Sequence, residues 1–95
     1  MDAIVFSKKD NVATAIRNLS KGEEVHIDFE NTTLRVKLNH DIPFGHKFAI
    51  KEIEKDSEVF KYGEPIGVAI EKIRTGDYVH VHNVSGKRAV RRYTT

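Results

Sequence analysis

The sequence predicts a small, mainly β domain with one short helix. Three observations carry this: short runs of alternating apolar residues, Gly and Pro at regular chain reversals, and a corner-like pattern that recurs three times. The chain has 95 residues and no break in composition, so it reads as a single domain over 1–95 with a basic C-terminal segment over 84–95. A domain of this size buries roughly 60–65% of the surface its unfolded chain exposes. A deep substrate cavity would compete with so thin a core, which points to a site shared with a partner.

The helix is predicted first along the chain, with Asp10 as N-cap, Val12, Ala15, Ile16 and Leu19 on one face, and Gly22 past the end. Val25, Ile27 and Phe29 then alternate with His26, Asp28 and Glu30, and Leu34, Val36 and Leu38 with Arg35 and Lys37, predicting a hairpin about Asn31. Both prolines stand in similar settings, Ile42-Pro43-Phe44-Gly45 and Glu64-Pro65-Ile66-Gly67, which predict type I turns with Pro at the second position. Tyr78, His80 and His82 alternate with Val79 and Val81 as a further strand, and Ala89 to Tyr93 as a last one.

The recurring pattern is Ala15-Ile16-x-x-Leu19-x-x-Gly22-x-x-Val25, repeated from Ala49 through Ile53 and Asp56 to Val59, and from Ala69 through Ile73 and Gly76 to Val79. Offsets of thirty-four and twenty residues are too uneven for a solenoid. Each copy reads as a corner: an aliphatic tucked under a turn, Gly at a position with φ > 0, and Val opening the next strand. Asp56 holds the Gly position of the middle copy, and Asp enters the left-handed region more readily than most residues.

Composition excludes several classes. The chain has no cysteine, hence neither a disulfide framework nor a thiolate metal site. The N-terminus fits no signal peptide and no apolar run approaches the roughly 20 residues of a membrane helix, so a cytoplasmic protein without membrane contact is expected. Four of the sixteen basic residues, Lys87, Arg88, Arg91 and Arg92, follow Val84, leaving twelve against fourteen acids. Only Tyr93 accompanies that cluster, so the segment reads as a solvated or partner-facing tail and not as a nucleic-acid surface.

His80-Val81-His82 is the sharpest chemical feature, because residues i and i+2 of a strand share a face and bring two imidazoles to one ligand; Asn83 extends the polar edge. Two histidines do not close a metal site, and spacing alone favours the wet face of an amphipathic strand over a ligand role. Gly45-His46-Lys47 displays an imidazole and an ammonium after a turn, and Lys61-Tyr62-Gly63 a cation and a phenol at a loop edge; both also fit solvated loops. His26 and His40 read as surface residues. No phosphate loop, nucleophile elbow, HExxH or dinucleotide fingerprint occurs.

Taken together, Asn11-Val12-Ala13, Pro43-x-Gly45-His46-Lys47-x-Ala49-Ile50, Lys61-Tyr62-Gly63-x-x-Ile66-Gly67-x-Ala69 and Ile73-x-x-Gly76-x-x-Val79-His80-x-His82-Asn83 resemble the small subunit or N-terminal SAF domain of the altronate/galactarate dehydratase family. The sulfolactate sulfo-lyase small subunit is similar. The resemblance covers residues 11 to about 92 and implies the SAF, or β-clip, fold. It further implies a subunit of a carbon–oxygen lyase in sugar-acid metabolism, inactive alone, that supplies part of an active site to a large dehydratase subunit.

In that reading His80 and His82 serve catalysis or metal ligation shared with the large subunit, while His46, Lys47, Lys61, Tyr62 and Asn83 hold a sugar acid or hydroxy acid. The resemblance implies a divalent metal, iron, as cofactor. The rival reading is a non-catalytic SAF module that recognises a sugar acid or a partner protein, with a homo-oligomer as a possible state of the isolated chain.

Overall fold

The computed structural model describes residues 2–86. These form nine strands: β1 (Ala3–Ile4), β2 (Val12–Ala15), β3 (Glu24–Phe29), β4 (Thr32–Lys37), β5 (Lys47–Ala49), β6 (Glu58–Lys61), β7 (Glu64–Ala69), β8 (Tyr78–Val79) and β9 (Val84–Ser85). All pair antiparallel, in a four-stranded sheet of order β1-β2-β5-β8, the β3-β4 hairpin, and a three-stranded sheet of order β6-β7-β9. The mainly β expectation holds. Ala89 to Tyr93 and the basic cluster from Lys87 onward lie outside the described residues. No helix among the described residues is long and apolar enough to cross a membrane.

The helix expected after Asp10 is instead β2, paired with β1 and β5. Its periodicity misleads because β2 is buried on both faces: Val12 packs in one apolar cluster, Ala13 and Ala15 in another, while Ile16 is exposed. A strand covered on both sides loses its alternation and reads like a buried helical stretch. Asp10 does accept backbone N–H groups, but not as a helix cap. Its buried carboxylate takes Phe6 N–H and Ser7 N–H at 3.1 Å, Tyr62 N–H at 3.2 Å and Gly63 N–H at 2.8 Å. Asn11 beside it donates to the Glu58 carbonyl and accepts from Phe60 N–H, so this dipeptide pins the N-terminal strands to β6 and its turn.

The three corners are present, and the structure adds a fourth, Leu38-x-x-x-Ile42-x-x-Gly45-x-x-Phe48. In chain order the positive-φ residues of the four corners are Gly22 (86°), Gly45 (85°), Asp56 (72°) and Gly76 (93°). Each is the third residue of a turn closed by a hydrogen bond to the carbonyl of Ser20, Pro43, Glu54 or Arg74, the geometry of a type II turn. Pro43 is therefore the first residue of its turn, not the second. Pro65 is in no turn at all: it lies within β7 opposite Phe60, and the reversal before it is the two-residue loop Tyr62-Gly63, both with positive φ.

The corners interlock in two pairs. Gly22 N–H donates to the Leu38 carbonyl and Gly45 N–H returns to that of Ala15, both at 2.8 Å, while Leu19 and Ile42 exchange backbone hydrogen bonds. The later pair repeats this: Asp56 N–H to Ala69, Gly76 N–H to Ala49, and Ile53 exchanging with Ile73.

Each pair makes its own core. Ala15, Leu19, Val25, Leu38, Ile42 and Phe48 all belong to one cluster, and Ala49, Ile53, Val59, Ala69, Ile73 and Val79 all to the other. Strand β5 places Phe48 in the first core and Ala49 in the second, so it is the seam between the halves. The β3-β4 hairpin about Glu30-Asn31 joins the first core through Val25, Ile27 and Val36, with His26 and Asp28 on its outer face, as the alternation predicts.

Candidate functional site

The corner at Gly45 delivers His46 and Lys47 to the start of β5, and the corner at Gly76 delivers Tyr78 to the start of β8. Pairing of Lys47 with Val79 and of Phe48 with Tyr78 lays these two strand starts side by side at the edge of the four-stranded sheet. Residues far apart in sequence thereby meet. The Tyr78 hydroxyl lies 2.5 Å from His46 Nδ1, and the His46 and His80 rings are 5.2 Å apart. His80 stacks on the Tyr78 ring at 5.4 Å with an interplanar angle of 14°, and His82 meets the same ring at 5.8 Å. Three imidazoles thus surround one phenol.

The grouping is not the one the spacing predicts. Strand β8 ends at Val79, and His80 to Asn83 form a turn in which the His80 carbonyl accepts the N–H groups of Asn83 and Val84. His80 and His82 therefore do not share a strand face; they come together by packing on Tyr78. Asn83 is buried, with its side-chain oxygen on His80 N–H and its amide on the Tyr78 carbonyl at 2.7 Å. It clamps the turn that carries the histidines, and its burial keeps the amide within the fold and away from a ligand at the surface.

Lys47 lines an open cleft of about 270 Å³ with Ile66, Val79, His80, Val81 and Val84. Partial burial pushes its pKa below the usual lysine value, and the nearby Lys61 ammonium pushes it the same way. Neither lysine forms an ion pair with an acid among the described residues. Lys61 reaches over the rings of Tyr62 at 5.0 Å and Phe6 at 5.8 Å, on an exposed aromatic patch at the β6-β7 turn. Two ammoniums, one partly desolvated and both lacking a carboxylate, are suited to an anionic ligand.

His26 and His40 stand apart, exposed beside Glu24 and Asp77. Tyr78 is the residue that spacing alone does not single out. Its signal was its place two residues before His80 in a strand paired with the His46-Lys47 segment, which only the fold reveals. Among the described residues no three His, Cys, Asp or Glu side chains group so as to hold a metal ion. Rings packed about a phenol do not converge their nitrogens on one point, so these side chains by themselves do not fit a metal centre.

Interlocked corners, two small cores and a histidine-bearing sheet edge define a small all-strand domain of the SAF class. The sequence profile of the altronate/galactarate dehydratase SAF domain matches residues 1–87, and the chain belongs to that family. It is similar to altronate dehydratase of Escherichia coli, 45% identical over 83 residues that make up 87% of this chain and 16% of that enzyme. The Bacillus subtilis altronate dehydratase is 39% identical over 84% of the chain and 15% of its own length. The (2R)-sulfolactate sulfo-lyase subunit alpha of Paracoccus pantotrophus is 39% identical over 62% of the chain and 88% of that subunit. The chain thus spans about one sixth of the altronate dehydratases it matches and most of the sulfo-lyase subunit.

Proposed function

We propose that this chain supplies one wall of the active site of a cytoplasmic hydroxy-acid lyase, of the sugar-acid dehydratase type, and that a larger dehydratase portion supplies the rest. The observation that carries this reading is the convergence of His46, His80 and His82 on Tyr78 beside the partly buried Lys47, which pairs with no acid among the described residues. The kinship to altronate dehydratases and to a sulfo-lyase subunit supports it.

Lys47 and Lys61 hold the substrate carboxylate, and the exposed Tyr62 phenol beside them offers a hydroxyl partner. Proton removal next to a carboxylate and expulsion of a β-hydroxyl need a base and an acid working near neutral pH, for which imidazole is suited. His80 and His82 are assigned that work, with His46 as a further proton donor or acceptor at the same edge. An electrophilic divalent metal, iron as the resemblance implies, would stabilise the charge that develops on the carboxylate. The described residues do not group to hold one, so its remaining ligands would come from the companion.

The test is reconstitution with the catalytic portion of an altronate dehydratase relative deprived of its matching N-terminal segment. His80→Ala and His82→Ala should each lower turnover of a hydroxy acid by about 10²–10⁴-fold, and unchanged turnover in both would end the assignment. Micromolar binding of a sugar acid by the chain alone, with no companion, would favour a non-catalytic binding module instead.

A further inference from the structure

Tyr78 is the best-anchored member of the histidine cluster. Its backbone pairs with Phe48, which is fully buried; its carbonyl accepts the Asn83 amide; and its ring packs partly into the first core. The other end of the ring emerges among His46, His80 and His82, with the hydroxyl on His46 Nδ1 at 2.5 Å.

A neutral imidazole has one nitrogen that donates and one that accepts, and its hydrogen-bond partners decide which is which. A phenol is a good O–H donor, while its oxygen, conjugated with the ring, is a poorer acceptor. The matched arrangement is therefore O–H of Tyr78 donating to a bare Nδ1, which places the imidazole proton on Nε2.

We infer that Tyr78 is a positioning residue that fixes His46 as the Nε2–H tautomer, so that neutral His46 presents a hydrogen-bond donor, and not a base, to the hydroxyl or carboxylate oxygen of the substrate. This rests on the shared-site reading for its catalytic meaning, but not for its chemistry, which belongs to this chain alone. It divides the work at the edge: His46 donates, and proton abstraction falls to His80 or His82, whose rings pack on Tyr78 without a hydrogen bond to its hydroxyl.

Two measurements test it. In the full chain with ¹⁵N-labelled histidine at about pH 8, where ordinary imidazoles are neutral, long-range ¹H–¹⁵N correlation reads each tautomer. The ratio of Nε2–H to Nδ1–H at His46 should exceed that of free histidine by about fivefold, as one ordinary hydrogen bond supports, and Tyr78→Phe should return it to the free-histidine ratio. A wild-type His46 found as Nδ1–H overturns the inference whether or not the variant folds, as does a ratio that Tyr78→Phe leaves unchanged.

In the reconstituted enzyme, Tyr78→Phe should lower kcat about tenfold with KM within about twofold, and should add no further loss in a His46→Gln background, since partners acting through one interaction are non-additive. Additive losses overturn the positioning role. An intact tautomer bias combined with turnover that does not depend on His46 instead overturns the shared-site reading.

Discussion

Asp10, itself buried, accepts the backbone N–H of Gly63 at 2.8 Å across 53 positions of sequence, and the same carboxylate takes three further N–H groups. It joins the N-terminal turn to the β6-β7 reversal, next to the Lys61 and Tyr62 patch. Hydrogen bonds to a charged group contribute about 1.5–3 kcal/mol each, and orphaned buried donors are costly. Asp10→Ala should therefore lower unfolding free energy by more than about 3 kcal/mol in urea titrations. Asp10→Asn keeps the shape but must turn an amide N–H toward either Gly63 N–H or the other three donors, and should lose about 2 kcal/mol.

The four corners share a backbone shape but not their surroundings. A Cβ on Gly76 would lie 2.2 Å from the Lys37 carbonyl oxygen, whereas one on Gly22 meets nothing within 4 Å. Gly22→Ala should suffer only left-handed strain, about 1–2 kcal/mol. Gly76→Ala must also displace the β4 backbone and should lower the thermal midpoint clearly further, as calorimetry on the pair would show.

Lys47 carries the pH signature of the site. Burial and Lys61 lower its pKa in the folded state below the ordinary lysine value of 10.5. Between the two values the unfolded chain binds more protons than the folded one, so stability rises with pH across that alkaline window. Below the folded value both states are charged and the folded state bears the full penalty. Lys47→Met should therefore stabilise the chain at pH 7, by under about 1 kcal/mol because the side chain stays partly in water. The gain should fade as pH rises toward 10.5; a gain that grows with pH would contradict it.

Asn83 is predicted to act through the fold. Asn83→Ala removes the bonds to His80 N–H and to the Tyr78 carbonyl, leaving two partly buried groups short of a partner. A loss of about 2 kcal/mol is expected, with shifts in the ring signals of His80 and His82. Asn83→Asp keeps the acceptor for His80 N–H but sets a carboxylate oxygen against the Tyr78 carbonyl, and should be no milder.

Much of this was legible in the sequence. The hairpin about Asn31 follows from a one-sided alternation that the structure preserves, and three corners follow from Ala, aliphatic and Gly at fixed offsets. Asp56 at φ 72° obeys the reasoning that put it in a Gly position. The fourth corner escaped because Leu38-Asn39 replaces the Ala-Ile anchor and Phe48 the closing Val, although Ile42 and Gly45 keep their places. The false helix arose where a strand is sandwiched between two cores, and Pro65 was misplaced because the turn chemistry lies in Tyr62-Gly63. At the candidate site, spacing brought out His46, Lys47, His80 and His82, but for the last two it invoked a strand that ends at Val79. The meeting of Tyr78 with His46 depends on pairing between β5 and β8, which local pattern does not encode, whereas the clamp by Asn83 is local, spanning three and five residues, and was hidden by reading those residues as a continuing strand.

The seam at β5 has a further consequence. His46 reaches the cluster from the earlier pair of corners and Tyr78, His80 and His82 from the later pair, so neither half of the molecule carries the whole constellation. The cluster forms only when both halves are assembled, and a fragment ending anywhere between Ala49 and Thr75 would keep His46 without Tyr78, His80 or His82.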